Sequence, residues 1–250
     1  MLHVKRDDDR LPVPPELLAT LAINGISPSE DQINKLALYV ESLARWNTRH
    51  NLISRRDVPN IWGRHIVHAI SPLMKIHFPQ GLKVVDIGSG GGLPGIPIAI
   101  LRPDYHVTLV DSVRKKANAL SEIVRDAGVQ NTQVVCARAE TLKESHNFLY
   151  RFDVAFARAV SSLTDLIEWS LPLLEKKESS LNRLNSEHDG ERRIELPHPA
   201  LLAYKGGDLS SEIAEARKVF VNVRISVLDL EFVGSKQYGL TDKKLVIVHT

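Results

Sequence analysis

The chain has 250 residues, of which 43% are hydrophobic and 25% charged, and its formal net charge is +2. These values predict a globular protein that can bury a core without covalent or metal cross-links. The single cysteine excludes an internal disulfide and a cysteine metal cluster, which favours a cytoplasmic location. No stretch approaches the apolar length of a membrane span, and the first residues, MLHVKRDDDR, are charged where a signal peptide is apolar.

The first eighty residues predict a helical region. Ser27, Pro28 and Glu30 fit a capping box that starts a helix. An apolar stripe with helical spacing follows, consisting of Ile33, Leu36, Ala37, Val40, Leu43 and Ala44. A second helix is predicted after Asp57, with a break or restart at Ser71-Pro72. We therefore predict an N-terminal helical region over residues 1–80.

From residue 83 onwards, short apolar runs alternate with helical stretches. The predicted strands are 84–87, 107–110, 132–136, 153–156 and 200–204, with a closing hairpin pair from 221–232 and 244–249. The predicted helices are 95–101, 114–127 and 163–174. Such alternation predicts right-handed crossovers. The predicted fold class is α/β, with a Rossmann-like sheet of seven mostly parallel strands and helices on both faces, over residues 81–250.

One segment interrupts this domain. Residues 176–198 are polar and carry charges of both signs, where a compact α/β fold needs only a short turn. We interpret the segment as an insertion in a surface loop.

The segment VVDIGSGGG, residues 84–92, predicts a ligand-binding turn between a buried strand and a helix. Gly88 and Gly90 lack Cβ atoms and let a ligand approach the main chain, where a helix start offers N–H groups. Leu93 replaces the third glycine of a dinucleotide fingerprint, and the P-loop pattern is missing. Asp86 resembles instead the acidic residue in the first motif of class I methyltransferases, which helps to position the methionine end of S-adenosylmethionine. The alternative is a structural turn in an unrelated α/β protein.

A second carboxylate supports a nucleotide-like ligand. Asp111 directly follows the predicted strand 107–110, at a distance from the glycines that suits binding to ribose hydroxyls. Its alternative role is to cap the helix that starts at Arg114, although Ser112 could do so too. Glu140 follows the third strand, near the expected position of an adenine, but taken alone it is equally a solvated loop residue.

A family resemblance covers most of the chain. It rests on DIGSGGGLPGIPIAILRPDYHVTLVDSVRKK, on RAE at 138–140, on FDVAFARAVSSL at 152–163 and YKGG at 204–207, and on WNTRHNLIS at 46–54 and RHIVHAI at 64–70. These motifs resemble the glucose-inhibited division protein B family, the 16S ribosomal RNA guanine-N7 methyltransferases. The resemblance implies contacts with S-adenosylmethionine from Gly88, Leu93, Ala139 and Glu140, and places Arg158 at the junction of cofactor and substrate. Two departures stand out: His68 replaces a common aspartate, and the 176–198 insertion replaces a short glycine-rich loop.

The chemistry is also indicated by what the sequence lacks. After the fourth strand, Ala157-Arg158-Ala159-Val160 stands where enzymes that methylate exocyclic amines carry an Asn/Asp-Pro-Pro-aromatic motif. Cys136 lies in an apolar strand and is predicted to be a buried, inert thiol rather than a nucleophile. Guanine N7 carries no proton, so alignment with the methyl group can replace a general base.

Two cations are candidates for the substrate end of the site. Arg158 follows an apolar strand, from where it could bind guanine O6, a phosphate or the carboxylate of the cofactor. The alternative is an arginine that pairs with a neighbouring acid. Lys205 is the second candidate, before Gly206-Gly207 at the end of the fifth strand.

An RNA-facing surface is predicted near the N-terminus, where arginines lie close to aromatic rings. Its residues are Arg45, Arg49, Arg55, Arg56 and Arg64 with Trp46, His50 and Trp62. Taken singly, each is equally part of a solvated helix face with core tryptophans. His65 and His68 lack an evident acidic or cysteine partner, which favours structural histidines over a metal site.

These observations predict a cytoplasmic, monomeric and metal-free methyltransferase that uses S-adenosylmethionine and acts on 16S ribosomal RNA in the small ribosomal subunit. One alternative is the same chemistry on transfer RNA or protein, because the sheet does not distinguish acceptors. Another is a non-catalytic S-adenosylmethionine-binding module that docks on RNA.

Overall fold

The computed structural model describes residues 12–176 and 193–250. The N-terminal segment 1–11 and most of the predicted insertion, residues 177–192, lie outside the described residues. Within the described ranges, no helix is both long and apolar enough to cross a membrane.

Eight α-helices occur in the described part of the chain. They are α1 (Pro15–Ile23), α2 (Glu30–His50), α3 (His68–Ile70), α4 (Pro72–Lys75), α5 (Gly95–Leu101), α6 (Arg114–Asp126), α7 (Leu163–Ser170) and α8 (Ser210–Val219). A 3-10 helix (Arg55–Asn60) and a π-helix (Trp62–Val67) lead into α3, and α4 starts at Pro72, which confirms the predicted restart.

The described strands number nine. They are β1 (Ile76–His77), β2 (Lys83–Ile87), β3 (His106–Asp111), β4 (Thr132–Cys136), β5 (Val154–Arg158), β6 (Ile194–Glu195), β7 (Ala200–Gly206), β8 (Arg224–Asp229) and β9 (Lys243–His249). Seven of them form the main sheet in the order β4-β3-β2-β5-β7-β9-β8. The four pairs of neighbours from β4 to β7 are parallel. The β7–β9 and β9–β8 pairs are antiparallel. The predicted seven-strand, mostly parallel sheet with a closing hairpin pair is confirmed.

The cap of α2 differs from the prediction. Ser29, not Ser27, begins this helix: its Oγ accepts the Gln32 N–H at 3.3 Å, and Gln32 Oε1 accepts the Ser29 N–H at 2.9 Å. Both serines fit the capping pattern, but the Gln32 amide can also donate, and it bonds the main-chain oxygens of Ile100 and Leu101. The prediction was wrong by two residues because a contact with α5, distant in sequence, decides where the helix starts.

The N-terminal helices share a core with one face of the sheet. Leu36, Tyr39 and Leu43 on α2 are fully buried, as the apolar stripe predicts, and belong to one cluster with Val84 and Leu109. The opposite face of the sheet packs on α7 and α8 through a second cluster. The two regions predicted from the sequence, 1–80 and 81–250, therefore contribute to a common apolar core.

Cys136 corrects one further prediction. The sequence predicts a buried thiol, but the residue is exposed. The reason is its place in β4, which pairs with β3 alone at the edge of the sheet and is only partly covered. An apolar run in an edge strand is therefore not buried on both faces, whereas the runs of β2 and β3 are.

Candidate active site

The turn after β2 is hydrogen-bonded to the carboxyl end of the neighbouring strand β3. Gly88, Gly90 and Gly92 have φ angles of 70°, 55° and 90°, a region that side chains disfavour. The Ser89 N–H donates to the main-chain oxygen of Val110 at 2.9 Å, which ties the turn to β3. The glycines are thus required by the shape of the turn itself.

Part of the space that the glycines leave is filled by the chain. A Cβ atom at Gly88 would lie 2.6 Å from Val160 Cγ2, in the loop after β5. A Cβ atom at Gly91 would lie 2.6 Å from Leu43 Cδ1, on α2. The predicted approach of a ligand to Gly88 stays a prediction, and the contact that the structure describes there is with Val160.

Asp86, at the centre of the sheet, is fully buried. Its Oδ2 accepts the Gly95 N–H at 2.9 Å, so the carboxylate holds the start of α5. Its Oδ1 has no hydrogen-bond partner among the described residues. Burial raises the pKa of Asp86 to about 7, against the lowering effect of the Gly95 N–H. A buried acceptor without a donor is an observation that fits a cationic ligand group nearby.

Asp111, at the end of β3, closes the same turn from the other side. Its Oδ2 accepts the Gly90 N–H at 3.0 Å, and its Oδ1 accepts the Val113 N–H at 2.8 Å. The residue that precedes α6 is Val113, which makes no side-chain cap, so neither Asp111 nor Ser112 is the cap of this helix. Asp111 is 6% exposed, and that exposed part faces a cavity.

The cavity lies at the carboxyl ends of β2, β3 and β5 and has a volume of about 550 Å³. Five of the predicted site residues line it, namely Gly88, Gly90, Leu93, Asp111 and Arg158. Its opposite wall comes from the N-terminal region, through Asn51, Leu52, Ile53, Ser54, Arg55, Asp57 and His65. Lys116 of α6 stands at its side. Its position and size suit a nucleotide-like ligand bound in part by main-chain N–H groups.

Three predicted cofactor residues do not line this cavity. Asp86 lies beneath it. Ala139 and Glu140 start a 3-10 helix (Ala139–Glu144) after β4, where the Glu140 carboxylate lies 3.4 Å from Arg138 Nη1. Their contacts with the cofactor, implied by the family resemblance, stay predictions.

Arg158 ends β5 and its half-buried guanidinium faces the cavity. Nη1 donates to the main-chain oxygen of His65 at 3.2 Å, and Nη2 contacts His65 Nδ1 at 2.7 Å and the main-chain oxygen of Arg64 at 3.4 Å. All of these acceptors are neutral. Burial lowers the pKa of Arg158 from its ordinary value.

Two histidines of the N-terminal region, His65 and His68, are buried near Arg158. His65 Nε2 lies 3.3 Å from Asp57 Oδ2, and burial together with Arg158 lowers the pKa of His65 to about 4. The ring of His68 packs edge-on against Tyr204 at 5.3 Å, and burial lowers the pKa of His68 to about 2. Where the family commonly has an aspartate, this chain therefore has a neutral ring. Across residues 12–176 and 193–250, no group of three or more His, Cys, Asp or Glu side chains is arranged to hold a metal ion.

Lys205, the second predicted catalytic cation, is bound within the protein. Its Nζ donates to Glu212 Oε1 at 2.6 Å and to the main-chain oxygen of Ser161 at 2.9 Å. Glu212 also accepts the Leu163 N–H at 2.7 Å, so the pair connects α8 to the loop after β5. Lys205 does not line the cavity, and its predicted contact with substrate stays a prediction.

The predicted RNA-facing residues divide into two groups. The arginines at 45, 49, 55, 56 and 64 are all exposed. Trp46 and Trp62 are half-buried and pack against the core, as the alternative interpretation has it. Sequence reasoning missed that the segment 51–55 forms a wall of the cavity, although WNTRHNLIS at 46–54 was already a motif of the resemblance.

Comparison with known proteins identifies a family whose model covers the residues of this cavity. A family model described as GidB, rRNA small subunit methyltransferase G, matches residues 32–195. The chain belongs to this family. The matched range holds the cavity walls described above, from α2 to the loop after β5. The predicted family, the Rossmann-like methyltransferase fold and the enzyme class, which uses S-adenosylmethionine, are confirmed.

Relatives at about a third identity cover most of the chain. Ribosomal RNA small subunit methyltransferase G of Roseiflexus sp. (strain RS-1) is 34% identical over 93% of this chain and 89% of its own length. The protein of the same name from Yersinia pseudotuberculosis serotype O:3 (strain YPIII) is 35% identical over 75% of this chain and 87% of its own length. Among solved structures, the fibrillarin pre-rRNA processing protein of Methanococcus jannaschii has a TM-score of 0.50 at 12% identity over 75% of each chain. That similarity concerns the fold alone.

Proposed function

We propose that this chain transfers a methyl group from S-adenosylmethionine to N7 of a guanine in 16S ribosomal RNA. The observation that carries the proposal is that the glycine turn, Asp111 and Arg158 line the same cavity, with the turn and Asp111 on one wall and Arg158 on another. The names of the relatives, which are small-subunit ribosomal RNA methyltransferases, support this substrate.

The residues of the first wall fit the cofactor. When bound, S-adenosylmethionine supplies a methyl group on a positively charged sulfur. Asp111 is proposed to bind the ribose hydroxyls, and the main chain around Gly88 and Gly90 the methionine part, because all three residues line the cavity. The free Oδ1 of Asp86 is an acceptor suited to the cationic end of this ligand. Ala139 and Glu140 belong to the proposal as contacts on the adenine side.

Methyl transfer to N7 needs alignment rather than proton transfer. The bond from the methyl carbon to N7 forms as the bond to sulfur breaks, the sulfur becomes neutral, and the guanine takes the positive charge. N7 has no proton to lose in this step. The acidic and imidazole groups among the described residues that line the cavity, Asp57, Asp111 and His65, each already contact a protein donor. An arrangement without a free base suits this acceptor atom.

Arg158 is the residue best placed to orient the guanine. Its guanidinium contacts neutral acceptors only, so its charge stays available for a negatively polarised group in the cavity. Guanine O6 is such a group beside N7, and a phosphate or the cofactor carboxylate are others. Lys205 is proposed as a second catalytic cation that acts less directly on the substrate. Its ion pair with Glu212 fixes the loop that follows Arg158.

A labelled-methyl assay tests the function. We expect label from S-adenosylmethionine in 16S ribosomal RNA, in naked RNA or in 30S subunits, and strand cleavage after borohydride and aniline at the labelled guanine. Label in transfer RNA or protein instead would support a methyltransferase that acts on those acceptors. Cofactor binding without label in any acceptor would support the non-catalytic binding module.

Three further parts of the proposal concern the state of the enzyme. We propose that it acts as a monomer, in the cytoplasm where ribosomal RNA is, and without a metal ion. Sedimentation at assay concentration and methyl transfer in the presence of a chelator test the first and the last.

A further inference from the structure

The contact between Arg158 and His65 defines the protonation of the histidine. A guanidinium has five N–H donors and no acceptor. Because Arg158 Nη2 lies 2.7 Å from His65 Nδ1, this nitrogen accepts and carries no proton. The proton of the neutral ring is therefore on Nε2.

The other side of the ring faces a carboxylate. His65 Nε2 lies 3.3 Å from Asp57 Oδ2 but makes no hydrogen bond to it, so the carboxylate acts on the ring through its charge, and Asp57 Oδ1 accepts from Arg64 Nη1 at 3.0 Å. A carboxylate at one ring nitrogen favours the tautomer with the proton on that nitrogen. Asp57 and Arg158 thus favour the same form of His65 from opposite sides, in a ring that is only 8% exposed.

Protonation of the ring would oppose this contact. A second proton on Nδ1 would face the N–H groups of Arg158, and burial already disfavours the charged ring. Burial and Arg158 together outweigh the raising effect of Asp57 on the pKa of His65, and the ring is neutral at the pH of a cell.

We propose that His65 is a positioning residue for methyl transfer: neutral His65 holds the Arg158 guanidinium at the cavity wall through Nδ1, and the negative charge of Asp57 near Nε2 favours the same tautomer. This inference rests on the proposed function for its kinetic part. It assigns a role to the N-terminal region, since Asp57 lies in the 3-10 helix and His65 in the π-helix of that region. The main-chain oxygens of Arg64 and His65 hold the guanidinium as well, so loss of the ring loosens Arg158 without releasing it.

Two substitutions at His65 separate the two ring nitrogens. In His65→Asn, the amide oxygen can take the place of Nδ1 and still accept from Arg158. In His65→Gln, the amide reaches the place of Nε2 and the acceptor for Arg158 is lost. We expect His65→Gln to slow single-turnover methyl transfer at saturating RNA and cofactor by about tenfold to a hundredfold, the loss of one hydrogen bond to a charged group. His65→Asn should stay within about threefold of the wild type on the same basis.

A buried histidine outside the site provides the control. His249 on β9 is 7% exposed, and burial lowers its pKa as well, but it does not line the cavity. His249→Gln should lower thermal stability without slowing methyl transfer at saturating substrates. Equal rate losses in His65→Gln and His65→Asn, or in His65→Gln and His249→Gln, would overturn the proposal.

A measurement without RNA or cofactor tests the tautomer directly. Long-range proton–nitrogen NMR of the full chain, with the His65 signal assigned by its loss in His65→Asn, should show protonated Nε2 and unprotonated Nδ1 at pH 7. In Asp57→Asn we expect the same tautomer to predominate, because Arg158 still donates to Nδ1. A protonated Nδ1 in the wild type would overturn the inference even if methyl transfer to 16S ribosomal RNA were observed. The expected tautomer together with absent methyl transfer would sink the proposed function and leave the described contact intact.

Discussion

The two walls of the cavity are held in different ways. On the cofactor side, Asp111 accepts the N–H groups of Gly90 and Val113, which are 21 and 2 residues away in sequence. On the substrate side, Arg158 is held by His65 and Arg64, which are 93 and 94 residues away. Asp111 is therefore positioned by groups near its own strand, whereas Arg158 depends on correct packing of the N-terminal region against the sheet. Substitutions on the two sides should accordingly affect different steps, binding of the cofactor and transfer of the methyl group.

The largest effect is expected at the glycine turn. Gly88→Val should abolish binding of S-adenosylhomocysteine, because the left-handed φ of 70° disfavours a side chain and its Cβ would meet Val160 at 2.6 Å. Gly128→Val is the matched control: its φ is 65°, but no atom lies within 4 Å of the added Cβ. Calorimetric titration of both variants checks the expectation. Normal affinity in a folded Gly88→Val protein would remove the turn from the cofactor site.

The next effect is expected on the substrate side. Arg158→Ala should slow single-turnover methyl transfer by about ten- to a hundredfold, the rate equivalent of roughly 1.5–3 kcal/mol for a bond to a charged group. Arg64→Ala removes an exposed cation that contacts Asp57, and should weaken RNA binding and its salt dependence instead. Rates at saturating RNA and cofactor separate the two. A normal rate for Arg158→Ala beside a slow Arg64→Ala would mean that the reacting guanine lies elsewhere.

A smaller loss of cofactor affinity is expected from substitution of Asp111. Asp111→Ala should weaken binding of S-adenosylhomocysteine by roughly 1.5–3 kcal/mol. Asp104→Ala is its control, since Asp104 also accepts a main-chain N–H, from Gly81 at 2.9 Å, and does not line this cavity. Both variants should lose some stability, but only the first should lose affinity. Equal affinities in the two would contradict the placement of the ribose at Asp111.

The smallest effect is a pH dependence of stability that arises on the substrate side. Burial lowers the pKa of His65 to about 4 and of His68 to about 2. Between pH 6.5 and 4 the unfolded chain therefore binds more protons at these rings than the folded chain, and stability falls as the pH falls. Asp86, whose pKa is raised to about 7, works in the opposite direction over the same range. In urea titrations at several pH values, His68→Gln should lower the slope by up to about 1.4 kcal/mol per pH unit. An unchanged slope would show that His68 is not held neutral.

The cofactor side was also the side that the sequence predicted well. The strand, the glycines and the start of α5 lie within residues 83–95, so the pattern and the structure concern the same few residues. The strand boundaries at 132–136 and the helix 95–101 agree with the prediction for the same reason. The family and fold follow from such local motifs.

Contacts between distant segments account for what the sequence did not predict. Ser29 caps α2 because Gln32 reaches α5, and Cys136 is exposed because β4 is an edge strand. The role of segment 51–55 in the cavity, and the meeting of His65 with Arg158, depend on how the N-terminal region packs. Spacing along the chain carries no information on such meetings.

Tyr39 of α2 connects the N-terminal region to the glycine turn after β2. Its hydroxyl donates to the main-chain oxygen of Gly91 at 2.9 Å, and Leu43, one turn further, fills the space beside the same glycine. The helical region is therefore a structural support of the glycine turn as well as a wall of the cavity. An engineer who wished to redirect this enzyme by grafting the N-terminal helices of another methyltransferase would also change the support of its cofactor turn. The N-terminal helices and the glycine turn would have to be transplanted together.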